Sequence, residues 1–183
     1  MKTIHLFIGF MLLVLVQIFI PVQMIWEQED VLISGEVYKF KTRPIDPTDP
    51  FRGKYITLQY EMDSFTKEDT SYAYGDKIRI YIKKDDNGFA VPVAISKKPL
   101  TSSKDFILAK VIGNYNKEIS FELPFNRFYM EETKAYDAEK AYRKVNRDGL
   151  KENVYAEVYV KDGVSVLKNV IIDGIPIQEY VEK

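Results

Sequence analysis

Cysteine is absent from all 183 residues, and the single histidine is His5. The first absence removes disulfides, thiolate catalysis, Zn–Cys sites and a lipidated N-terminal cysteine. The second removes a Ser-His-Asp triad and histidine metal ligation from everything beyond the N-terminal run. Charge of one sign is also lacking in excess: 26 Lys+Arg stand against 27 Asp+Glu, for a net charge of −1. With no basic surplus to neutralise phosphates, nucleic acid is not an expected partner. The sequence also lacks an internal repeat, a low-complexity tract and any sign of a second folded domain.

What is present begins with an apolar run. From Thr3 to Trp26 there is no Asp, Glu, Lys or Arg, a stretch of about 24 residues. As a helix it extends roughly 36 Å, against a hydrocarbon core of about 30 Å. Gln17 and Gln23 are uncharged amides, which cost far less at that depth than ions. Lys2 and the α-amine flank one end; Glu27, Glu29 and Asp30 flank the other. The positive-inside rule then puts the N-terminus in the cytoplasm and the rest across the cell membrane. Trp26, the only tryptophan, falls where an indole is favoured. A cleaved signal peptide is the rival, but its apolar region is usually shorter and ends in a small-x-small site. Ile20–Glu27 (IPVQMIWE) offers no such pair. A buried core helix is a third option, disfavoured by the asymmetric flanks. Residues 1–30 are therefore read as a transmembrane anchor touching lipid through residues 4–26. Residues 31–183 are read as one extracytoplasmic domain.

That domain reads as mainly β (α+β), an antiparallel β-rich fold with one amphipathic helix. Residues 31–42 (VLISGEVYKFKT) are rich in β-branched and aromatic types and read as a strand. Arg43–Gly53 carries Pro44, Pro47 and Pro50 and must be a stiff, mostly extended connection. Tyr55–Glu61 resumes as a strand, with Tyr55, Thr57 and Gln59 on one face and Ile56, Leu58 and Tyr60 on the other. Asp63–Tyr74 reads as loop. Lys77–Lys83 alternates, with Ile78, Ile80 and Ile82 inward and Tyr81 outward. Asp86-Asn87-Gly88 then predicts a hairpin into Phe89–Ile95. Phe106–Ile112 and Ile119–Leu123 are further strands. Ala135, Ala138, Tyr142 and Val145 recur at helical spacing within Glu131–Arg147. A hairpin over Val154–Ile172 turns at Asp162-Gly163, and a last strand is placed at Ile175–Tyr180.

Asp46–Tyr60 reads DPTDPFRGKYITLQY. This resembles the signature of the GDYXXLXY family of membrane-anchored bacterial proteins, with Gly53, Tyr55, Leu58 and Tyr60 on its motif. Phe128–Glu132 (FYMEE) resembles its aromatic-plus-glutamate segment and Val158–Gly174 its closing hairpin. Lys54 stands where the family name has Asp, so an acid at that position has no role in this chain. The family carries no established reaction. The resemblance implies a topology, a fold and a multi-pass membrane protein as partner, but no chemistry.

The binding candidates are Asp46, Asp49, Arg52, Gly53, Tyr55, Leu58 and Tyr60. Prolines that freeze the backbone lower the entropy cost of presenting Asp46, Asp49 and Arg52 to a partner. The plainer reading is a rigid crossover in which the acids and Arg52 satisfy backbone groups or one another. For the tyrosines, the plainer reading is packing in a sheet. Glu131, Glu132, Asp137 and Glu139 invite an acid/base or metal reading, but Glu139 stands four before Arg143, the ion-pair spacing of a solvated helix face. Asp85-Asp86-Asn87-Gly88 lacks the twelfth-position Glu of a calcium loop and reads as a turn. No catalytic residue, metal or cofactor is assigned. The expectation is a membrane-anchored binding or accessory protein acting with an integral membrane partner. Two alternatives stay open. One is a signal-peptidase-like protease using Ser34 and a lysine, Lys110 being the best placed in sequence. The other is a small-ligand pocket lined by Tyr55, Tyr60 and Phe128.

Overall fold

The apolar run forms a single helix, α1 (Lys2–Ser34), in the computed structural model, with Pro21 inside it. The structure describes residues 2–43, 55–68, 71–101, 105–131, 134, 137–138, 140–142 and 154–182. Along α1 the large apolar side chains from Ile4 to Trp26 face outward, Trp26 being 77% exposed. The helix is long and apolar enough to cross a membrane, and among the described residues none of its most apolar stretch is buried.

The strand predicted from residue 31 starts later. The helix runs on to Ser34, and β1 is Glu36–Arg43. Val31 and Ile33 have strand propensity, but burial of Val31 at 2% exposure outweighs that small preference. Gly35 makes the corner: its N–H donates to the Val31 carbonyl at 2.8 Å.

After β1 come β2 (Tyr55–Thr57), β3 (Gln59–Tyr60), β4 (Ser64–Thr66), β5 (Lys77–Lys84) and β6 (Ala90–Ser96). Then follow β7 (Phe106–Tyr115), β8 (Glu118–Glu122), β9 (Arg127–Tyr129), β10 (Val154–Lys161), β11 (Val164–Ile172) and β12 (Ile175–Pro176). One sheet has the order β12-β11-β10-β1-β3, the other β4-β8-β7-β5-β6, and β2 pairs with β9 as a separate ribbon. All pairings between these strands are antiparallel. The fold is β-rich, as the period-two patterns require.

One apolar cluster holds both sheets. Tyr38, Phe40, Ala156, Val158 and Val170 come from the first sheet, and Ile78, Ile80, Ile107, Val111 and Phe121 from the second. β10 alternates buried and half-buried along its whole length, which is the hydrophobic effect sorting a pleated strand. The Tyr38 hydroxyl donates to Asp105 Oδ2 at 2.6 Å, tying β1 to the segment that enters β7.

Three further expectations change, while the hairpin at Asp86-Asn87-Gly88 forms. Tyr81 is buried, not solvent-facing, because the face of β5 opposite to Ile80 and Ile82 is covered as well: Phe106 stands across from it in the β5–β7 register with the ring centroids 5.7 Å apart. The Tyr81 hydroxyl accepts the Leu100 N–H at 2.6 Å. Ser64–Thr66, read as loop, is an edge strand on β8. In the Asp86-Asn87-Gly88 hairpin only Gly88 takes positive φ (80°), and the Asp85 carboxylate accepts the Asn87 and Phe89 N–H groups. The closing strand shortens to β12, followed by a helical turn, α2 (Ile177–Tyr180). Of the amphipathic helix, residues 134, 137–138 and 140–142 are described as helical, and Ala138 and Tyr142 of its stripe are buried. Ala135, Val145 and Glu139 lie outside the described residues.

Candidate functional site

The motif strand carries two different environments. Ile56, Leu58 and Tyr60 face inward and are buried, while Thr57 and Gln59 are exposed and Tyr55 is half-buried. The segment changes partner at Leu58, whose N–H donates to the Asn126 carbonyl at 2.8 Å. Before it, Tyr55 stands opposite Tyr129 and Thr57 opposite Arg127. After it, Gln59 and Tyr60 pair with Arg43 and Thr42 of β1. This crossing from ribbon to sheet positions the three described motif residues.

Tyr60 is a core residue. Its ring meets Phe40 edge-on at 6.0 Å and Phe125 at 5.2 Å, and its hydroxyl donates to the Phe125 carbonyl at 2.7 Å. Burial pushes its pKa well above the ordinary tyrosine value, so it stays a neutral donor. Leu58 is likewise packing. Tyr55 is at the surface, with its ring centroid 5.4 Å from that of Tyr129 and the Arg127 guanidinium 5.1 Å above it. Asp46, Asp49, Arg52 and Gly53 lie outside the described residues, between Arg43 and Tyr55.

A cleft of about 330 Å³ lies beside Leu58 and Tyr60, with Met62, Phe121 and Leu123 in its wall. Arg43 and Asp63 close its rim as a two-point ion pair at 2.9 and 3.0 Å. Arg43 also donates to the Glu61 carbonyl, so its donors are taken up within the protein. Tyr55 and Phe128 do not line this cleft. The three-aromatic pocket expected from sequence is therefore not the one built here: the Phe128 side chain is in the core and Tyr55 stacks outside.

A second cluster lies where α1 enters the domain. Lys161 Nζ reaches Asp30 Oδ2 at 2.6 Å and Ser34 Oγ at 2.8 Å. Ser34 Oγ also donates to the Asp30 carbonyl, within its own helix. Lys110, the lysine suggested by sequence, is elsewhere. Its Nζ lies 5.8 Å from the Tyr74 ring, and it stands opposite Glu122 in the β7–β8 register. No local pattern marks Lys161 as the partner of Ser34, since 127 residues separate them. The β1–β10 pairing, which sets Val160 opposite Glu36, brings them together.

The acidic candidates do not converge. Glu131 pairs loosely with Lys134 at 3.8 Å, Asp137 is exposed, and Glu132 and Glu139 lie outside the described residues. Among the described residues no three His, Cys, Asp or Glu side chains are grouped to hold a metal ion.

A family model described as GDYXXLXY protein matches residues 17–170, from the middle of α1 into β11. No curated protein and no solved structure matches the chain.

Proposed function

Since this chain belongs to the GDYXXLXY protein family, we propose that it is a membrane-tethered accessory module. In this reading its β domain is extracytoplasmic and works against an integral membrane partner. The observation that carries the reading is the split character of α1. None of its apolar stretch is buried, while its last turn is built into the domain through Val31. A helix of that composition in water leaves several hundred square ångströms of apolar surface uncovered, which soluble proteins avoid. Lipid covers it. The Lys2 end and the Glu27, Glu29 and Asp30 end support an N-terminus held in the cytoplasm. A signal sequence passes the same tests of length and hydropathy, so retention of α1 belongs to the proposal.

The test is chemical cross-linking in native membranes followed by mild detergent extraction. A specific multi-pass protein is expected to co-purify with the full chain, and repeated recovery of a lone monomer would overturn the reading.

One observation favours a second reading, a Ser-Lys hydrolase: the 2.8 Å contact between Ser34 Oγ and Lys161 Nζ. Lys161 Nζ, however, donates to Ser34 Oγ and is ion-paired to Asp30 at 2.6 Å, so the serine is an acceptor here and not the donor that a general base would deprotonate. Ser34→Ala is expected to leave the protein's cellular effect intact. Its loss, with α1 and the domain still folded, would revive the hydrolase.

A further inference from the structure

The β2–β9 ribbon has an outer face that the core does not use. Cross-strand pairing sets Tyr55 against Tyr129, and the same face carries Arg127 opposite Thr57. The inner face is complete without them, because Ile56 and Phe128 are buried there. Tyr129 is 63% exposed. The Arg127 guanidinium lies over the Tyr55 ring and hydrogen-bonds to Tyr129, which helps keep it charged. Among the described residues Arg127 makes no ion pair, whereas Arg43 is tied to Asp63. A cation oriented by one ring and by the hydroxyl of the ring packed beside it, and in no ion pair among the described residues, is a composition found at the centre of protein interfaces.

We infer that the face formed by Tyr55, Arg127 and Tyr129 docks an acidic segment of a protein partner on the same side of the membrane. The inference rests on the accessory-module reading and gives its partner a contact chemistry. A planar guanidinium pairs with a carboxylate through two parallel bonds, and the flanking rings shield that pair from water. Lipid phosphate is the weaker occupant on geometry. β1 begins at Glu36, just after α1, and pairs with the motif strand only at its far end, through Thr42 and Arg43. Eight strand residues place the ribbon side of the domain roughly 25 Å from the helix exit, about three Debye lengths in physiological salt. A long loop or a domain of an integral protein has the reach to meet the face at that distance. Tyr115, though more exposed at 79%, stands at a hairpin turn, has no stacked cation among the described residues and serves as the comparison site.

The experiment places a photo-reactive benzoylphenylalanine at Tyr129, and separately at Tyr115, in the full chain in native membranes. A discrete protein adduct is expected from position 129 and not from 115. Arg127→Glu, a change at an exposed side chain, is expected to lower recovery of the co-purifying partner at least about tenfold. Arg127→Lys keeps the charge but loses the fork and should fall between. Circular dichroism of each variant checks that the β domain is intact. Full partner recovery with Arg127→Glu, and no adduct at 129, overturns the docking face while leaving the accessory module standing. A lipid adduct at 129 replaces the protein occupant with the membrane and also overturns the inference. If the unaltered chain recovers no partner and 129 gives no adduct, both readings fall together.

Discussion

Phe40→Ala is expected to cost about 3–5 kcal/mol of folding stability, a large share of the roughly 5–15 kcal/mol typical of a domain. The ring is 1% exposed in the middle of β1, with Phe125 at 4.9 Å and Tyr60 at 6.0 Å. Its cross-strand neighbour on β10 is Ala156, too small to fill the space it leaves. Nor can Tyr60 swing in, because its hydroxyl is anchored on the Phe125 carbonyl. A cavity that cannot collapse carries the upper part of the cost. The measurement is urea unfolding of the detergent-held full chain, followed by the β signal in far-ultraviolet circular dichroism. Trp26 lies in α1 and does not report on this core. Tyr60→Phe should cost less, about 1–3 kcal/mol, since it strands one buried acceptor and keeps the ring. A Phe40→Ala midpoint equal to that of the parent would mean that the second motif tyrosine does not rest on the core described here.

The same aromatic trio shows why part of the motif was readable and part was not. Leu58 and Tyr60 fall on the inward phase of a period-two pattern, so their burial follows from sequence, and the motif letters they carry are structural. Tyr55 has the opposite phase, and its exposure also follows. What it stacks on does not. Tyr129 and Arg127 lie some seventy residues away, and nothing in the local pattern of Arg127–Tyr129 tells that β9 pairs with β2. Lys161 escaped notice for the same reason, as a hairpin-tip residue delivered to Ser34 by long-range folding. Tyr81 failed differently. Alternation assigned it outward, but that face of β5 is itself covered, by Phe106 and by the segment whose Leu100 N–H the Tyr81 hydroxyl accepts. The apolar run was legible as one long helix because that reading needs only composition and length. Its end was not, because burial of Val31 depends on β10 and β11, which are far away in sequence.

That buried helix end gives the last expectation. Gly35→Ala is expected to loosen the coupling between α1 and the domain. A methyl group added at Gly35 would fall inside van der Waals contact of the Val31 carbonyl, 3.2 Å from the Val160 carbonyl and 3.3 Å from Val31 Cγ1. Two of these three neighbours are backbone atoms and cannot rotate away, so either the helix end or the start of β1 must shift. Overpacking of this kind costs about 1–3 kcal/mol. The larger effect is on geometry. Burial of a valine side chain is worth about 1.5–3 kcal/mol, more than a solvent-screened ion pair such as Asp30–Lys161 supplies. Once Val31 is displaced, the ion pair alone cannot hold the domain at a fixed angle. The absence of cysteine makes this measurable, because cysteines introduced at the exposed positions Gln28 and Gln178 are the only sites a spin label can take. The distance distribution between them should be narrow in the parent and broad in Gly35→Ala. Gly9→Ala, where an added methyl meets nothing within 4 Å, should leave it narrow. An unchanged distribution in the Gly35 variant would mean that the helix is not fastened through this corner, and the fixed presentation of the ribbon face to a partner would lose its structural basis.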